Sequence, residues 1–167
     1  ALATWGKVRA LADNPEAYFD RGAAYSGKGL FDQAIADLTQ AVALQPDAPN
    51  AHYLRGRAFD AKDLKDRAID DYTRAIALKV DFAAAYNGRA WDYHLTGRDA
   101  LGLPDAEKAE ALAPLDPHVI ETRAEIYEGL GRREAAIADY RAALKIAPTM
   151  QSARAGLARL NAGPERP

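Results

Sequence analysis

Cysteine is absent from the 167 residues. That excludes disulfides, thiolate metal sites and cysteine nucleophiles together, and leaves the compartment open. Neither sign of charge is in excess: 22 Lys and Arg stand against 24 Asp and Glu, a net charge of −2. Phosphate binding needs a concentrated basic face, so no nucleic-acid partner is expected. No run of about 18 apolar residues occurs, the length a spanning helix requires, so no membrane insertion is expected. Aromatics make up only 8 % of the chain, and alanine supplies most of the apolar 49 %. This composition suits closely packed helices rather than a large aromatic core. The chain opens at Ala1 with neither methionine nor a signal-like segment, as a fragment or processed form would.

What is present is a period. Shifted by 34 residues, Gly22 falls on Gly56, Tyr25 on Phe59, Ala34 on Ala68, Leu38 on Tyr72 and Ala41 on Ala75. A second shift reaches Ala90, Tyr93, Ala106, Ala109 and Pro114. A third reaches Ala124, Tyr127, Ala136, Tyr140, Ala143 and Pro148. Self-similarity at a fixed spacing of this size marks a stacked repeat protein. Four units follow, at 15–48, 49–82, 83–116 and 117–150, within a single domain over 1–167.

These residues resemble the tetratricopeptide repeat over roughly 15–150. That unit is a pair of antiparallel helices with an early aromatic, small residues at two packing positions and a closing proline. The resemblance implies an all-α fold, a right-handed α-solenoid or superhelix of helix pairs. The turn signals place helices near 15–28, 31–45, 49–62, 65–79, 117–130 and 133–147, with repeat three starting at Ala83. Residues 2–12 read as the last helix of a preceding, incomplete unit. Residues 151–161 read as a capping helix, which solenoids need over their last apolar face, and 162–167 as a frayed tail. In repeat three, Gly102 and Pro104 predict a kink near 100–104, or a helix beginning at Pro104, because an internal proline removes a hydrogen bond and clashes one turn back. Asp92 stands where the preceding units have Ala24 and Ala58, a carboxylate at a helix-packing position.

Two charges share the period. Arg21, Arg55, Arg89 and Arg123 each precede Asp37, Asp71, Asp105 and Asp139 by 16 residues. A ladder of ion pairs is expected, within a unit or between adjacent units, each worth about 0–1 kcal/mol if exposed.

Catalytic and cofactor motifs are wanting, and no enzyme and no cofactor are expected. Gly22–Gly29 nearly spells a phosphate-binding loop, but Gly29 replaces the hydroxyl that would hold magnesium and no strand precedes it. His52, His94 and His118 are not spaced as ligands of one metal and read as surface or groove residues. Ser26 has no neighbouring base. Glu121, Glu125 and Glu128 share one helix face and read as solvated, since acid–base work needs burial or coupling to shift a carboxylate.

In the family the first helices line a concave groove. Carried over position by position, that surface comprises Glu16, Phe19, Ala23 and Ser26, then Asn50, Tyr53, Arg57 and Asp60, then Ala84, Asn87, Trp91 and His94, and last His118, Glu121, Glu125 and Glu128. The expected peptide-binding set is Phe19, Tyr53, Arg57, Asn87, Trp91, His94, Glu121 and Glu125. Aromatics and arginine are the residues enriched at binding hot spots, and an amide can both donate to and accept from a peptide backbone. A clamp of Lys and Asn for carboxylate-ended chaperone tails is missing, since Phe19, Ala23 and Leu54 occupy those positions. The resemblance thus implies a protein-interaction scaffold binding an extended peptide or partner helix. Its alternative is a self-assembly or regulatory module of a larger polypeptide, dimerising through the uncapped helix at 2–12. The Ala- and Arg-rich composition points to a bacterial source.

Overall fold

The computed structural model describes residues 14–162; the segment at 2–12, and with it dimerisation through that segment, and the tail beyond 162 lie outside the described residues. Among the described residues every regular element is an α-helix. The first pair is α1 (Pro15–Gly27) and α2 (Phe31–Leu44), the second α3 (Pro49–Ala61) and α4 (Lys65–Leu78). The third is α5 (Ala83–Leu95) and α6 (Asp99–Leu112), the fourth α7 (Pro117–Gly129) and α8 (Arg133–Ile146), with α9 (Gln151–Ala162) last. These bounds fall within a residue or two of those expected from the turn signals.

Local chemistry sets the helix starts. Proline opens α1, α3 and α7, where its missing N–H had no intrahelical partner. The Asn14 side chain accepts from the backbone N–H groups of Glu16 and Ala17 at 3.0 and 3.2 Å. Asp116 does the same for His118 at 2.9 Å. The turn inside each pair requires a left-handed residue. Gly29, Gly97 and Gly131 supply it at φ of 73°, 69° and 70°, and in the second pair Asp63 does so at 60°.

The described residues fall into two units, 14–80 and 81–162. In the first, α1 packs on α2, α2 on α3 and α3 on α4. Ala34, Leu38 and Ala58 form a core there, joined by a second cluster of Phe59, Ala68 and Tyr72. Gly22 and Gly56 explain the small residue at their position. A Cβ on either would stand 2.8 Å from Leu38 or 2.9 Å from the Tyr72 ring, inside normal contact distance. In the second unit α5 packs on α6, α6 on α7, α7 on α8 and α8 on α9, and α5 also meets α7. Ile120, Ala124, Ala136, Tyr140 and Ala143 form its main core, which Ala153 of α9 joins.

In repeat three one of the two expected alternatives is excluded. The helix α6 begins at Asp99, not at Pro104, and carries that proline in its sixth position. So near a helix start, the hydrogen bond that Pro104 cannot make is the one to the carbonyl of Ala100, in the first turn. Gly102 lets α6 approach α5, with the Ala90 carbonyl 3.0 Å from where a Cβ would lie. Asp92 is fully buried, in keeping with its helix-packing position.

The charge ladder forms within each repeat. Nε and a terminal guanidinium nitrogen of each arginine donate to the two oxygens of its aspartate. The distances are 2.5 and 2.6 Å for Arg21–Asp37 and 2.8 Å for both bonds of Arg55–Asp71. They are 2.6 and 2.8 Å for Arg89–Asp105, and 2.7 and 3.0 Å for Arg123–Asp139. The energy expected for exposed pairs does not apply, because all four carboxylates are buried. Each bond to its aspartate pulls Arg21, Arg89 and Arg123 further above the usual guanidinium range.

Candidate functional site

The expected binding residues divide between the two units, and their surroundings differ. In the first unit Phe19 on α1 is half-buried and packs against the Ala34, Leu38 and Ala58 core. Tyr53 on α3 rests on Tyr72, ring centroids 5.9 Å apart, so part of its area already serves the core. Arg57 is exposed and lies over the Tyr53 ring, 6.0 Å from its centroid.

In the second unit the repeat period aligns residues of neighbouring first helices, α5 and α7. Asn87 and Glu121 occupy equivalent positions, as do Trp91 and Glu125, and His94 and Glu128. Trp91 is half-buried and tilted against His94, ring centroids 5.6 Å apart. His94 Nδ1 lies 2.6 Å from an Asp99 oxygen at the start of α6. Asn87 Oδ1 and Glu121 Oε1 are both buried with no hydrogen-bond partner. The other Glu121 oxygen faces His118 Nδ1 at 3.8 Å.

The acidic face is not solvated as expected. The Glu121 side chain is only 13 % exposed. Burial first, and the Glu121 charge second, push the Glu125 carboxyl above the usual carboxylate range. Glu128 moves the other way. Arg159 of α9 donates to it at 3.1 and 3.0 Å, and the Tyr140 hydroxyl donates at 2.8 Å. The Arg159 bond chiefly, and the Tyr140 bond with it, hold the Glu128 carboxyl low. Burial first and Glu128 second raise the Tyr140 phenol. One helix face therefore carries carboxyls drawn in opposite directions.

Sequence reasoning missed Asp99, Tyr140 and Arg159. Arg159 lies 31 residues from Glu128, outside the 16-residue spacing of the arginine ladder, and no short motif joins them. His52 is corrected as well. It is neither a surface nor a groove residue but 6 % exposed, with Nδ1 3.3 Å from Asp71 and Nε2 3.0 Å from the Pro46 carbonyl. His118 is exposed, as read. Among the described residues no group of three or more His, Asp or Glu is placed to hold a metal ion. None of the described helices is long and apolar enough to cross a membrane.

Paired helices at a 34-residue spacing, with small residues at each close approach, define a helical repeat protein. Its sequence matches the tetratricopeptide repeat over residues 19–79 and again over 118–150. The chain belongs to the tetratricopeptide repeat family. A crystal structure of MamA is 29 % identical, covers 86 % of this chain and 84 % of its own, and superposes with a TM-score of 0.79. A second MamA structure is 30 % identical over 83 % of this chain and 76 % of its own, with a TM-score of 0.77. YrrB, a TPR protein with an unusual peptide-binding site, shares the fold at 17 % identity. It covers 90 % of this chain and 77 % of its own, with a TM-score of 0.78. No curated protein matches the sequence.

Proposed function

We propose that the chain is a protein-interaction scaffold whose first helices bind an extended peptide or a partner's helix. The family is generally one of non-enzymatic scaffolds, which supports a protein or peptide as the partner. The observation that carries the reading is the solvent-facing surface of the first helices, where Arg57 lies exposed over the Tyr53 ring in the first unit and Trp91 is half-buried against His94 in the second. Trp91 offers rigid contact area of the kind found at binding hot spots.

The mechanism is recognition on a pre-formed surface, with no bond made or broken. Tyr53 and Arg57 in the first unit occupy the positions that Asn87 and Trp91 occupy in the second, and each unit presents its own contact set, to which His94 and Glu125 add in the second. Phe19 belongs to it through its exposed edge. The peptide-binding site of YrrB lends support by analogy of fold. The test is affinity selection from a displayed peptide library, followed by titration of the selected peptide against Tyr53→Ala, Asn87→Ala and Trp91→Ala. Asn87→Ala and Trp91→Ala are expected to weaken binding about tenfold or more, the loss of about 1.4 kcal/mol each. Undiminished binding by all three variants would refute the assignment.

A further inference from the structure

A cavity of about 160 Å³ opens in the first unit, and its wall is apolar: Pro15, Phe19, Ala41, Ala48 and Ala51. Three polar residues complete the lining, Glu16, Gln45 and Asn50, and all three are solvent-exposed. Size narrows the occupant. Small-molecule and cofactor pockets run to about 300–1,000 Å³, so this half-open cavity suits a single side chain better than a drug-sized ligand. An apolar cavity of about 150 Å³ accepts a benzene ring. One phenyl side chain fits.

Charge narrows it further. Glu16 is the charged member of the lining. The start of α1 offers an anion little, because Asn14 already accepts from the Glu16 and Ala17 N–H groups. The field at the mouth therefore favours a cation. Gln45 and Asn50 carry amides that pair with the backbone of an extended chain. Two of the polar lining residues, Glu16 and Asn50, are equivalent positions on successive first helices.

We propose that this cavity takes a phenylalanine side chain from an extended segment of a partner protein, with a neighbouring lysine held at Glu16. The proposal rests on the reading that the first helices bind a partner, and adds the kind of segment this end of the chain selects. Burial of the ring supplies affinity, and the carboxylate sets which neighbours are tolerated.

The test is an NMR titration of the isotope-labelled chain with the capped tetrapeptide Gly-Lys-Phe-Gly. Parallel titrations replace Phe by Leu or Ala, and Lys by Glu. Saturable amide shifts at Phe19, Gln45 and Ala51 are expected with the first peptide. The alanine peptide should bind about tenfold more weakly, as removal of about 1.4 kcal/mol of ring burial requires. Ala48→Leu, which fills the cavity from a half-buried position, should abolish the shifts. Glu16→Gln sits on the surface and leaves the fold intact; it should erase the preference for lysine over glutamate and keep that for phenylalanine. Equal binding of the Phe and Ala peptides would overturn the proposal. So would tighter binding of Leu, shifts that survive Ala48→Leu, or no saturable shift at millimolar peptide. Asn87→Ala and Trp91→Ala lie in the other unit and should leave this titration unchanged. Failure of the broader reading in those variants is thereby kept separate from failure of the cavity.

Discussion

Removing the Arg123 guanidinium while Asp139 stays is the sharpest perturbation of the arginine–aspartate ladder. Asp139 is 8 % exposed and receives two bonds, at 2.7 and 3.0 Å. Breaking a buried pair by deleting one partner costs about 3–5 kcal/mol, against about 0–1 for an exposed pair. Arg123 is itself 18 % exposed, which puts this rung near the buried limit. Its further contact, Glu110 at 3.1 Å, is 31 % exposed and can turn to water once released. Arg123→Ala should therefore cost about 3 kcal/mol, a melting-point fall of roughly 6–12 °C in a chain of this size. Arg21 is 43 % exposed, so water replaces it more readily and Arg21→Ala should cost less. The control replaces both partners, Arg123→Met with Asp139→Leu. It leaves no stranded charge and should lie within about 1 kcal/mol of the parent. Thermal and urea melts followed by far-UV circular dichroism and by tryptophan fluorescence read these values. Two probes are needed because repeat arrays can lose a single cooperative transition. A cost under about 1 kcal/mol for Arg123→Ala, or a double variant worse than the single one, would refute the reasoning.

Two further outcomes follow from the same structure. Asp63→Gly should stabilise the second repeat by about 0.5–1 kcal/mol, because a left-handed non-glycine costs about 1–2 kcal/mol, less for aspartate, and glycine's unfolded-state freedom takes part of the gain back. The Asp63 side chain is 92 % exposed and only 3.7 Å from Lys65, a surface pair that contributes little, so a lower melting point in the variant would contradict the turn argument. Glu125→Gln should raise the melting point at pH 7. A carboxyl held above its unfolded value gives stability that is complete below the unfolded pKa of about 4.5 and lost as pH rises through the folded value, so the advantage of the amide should vanish on acidification below about pH 4.5. An advantage that is flat with pH would show that charge is not its cause.

The sequence by itself determined the repeat. Small residues at 22, 56, 90 and 124 and prolines at 46, 114 and 148 repeat at a spacing that only stacked helix pairs explain, and they located the helices to within a residue or two. It also announced an arginine–aspartate ladder but left open whether the pairs close within a unit or between neighbours; the helix pairs close them within each unit, where an offset of 16 places both at one crossing. Pro104 left two readings open because its cost depends on how far it stands from the helix start, and that start is set by how α6 packs. Asp63 escaped notice because a left-handed turn is a property of the backbone, and glycine is only its usual occupant. Tertiary structure alone decided the state of the side chains. The burial of Glu121, the opposite pulls on Glu125 and Glu128, the enclosure of His52 and the cavity beside Phe19 each depend on residues brought together from different helices. Short-range periodicity carries no trace of such meetings, because exposure and electrostatic environment are set by what packs opposite, and the partners of Glu128 lie 12 and 31 residues away.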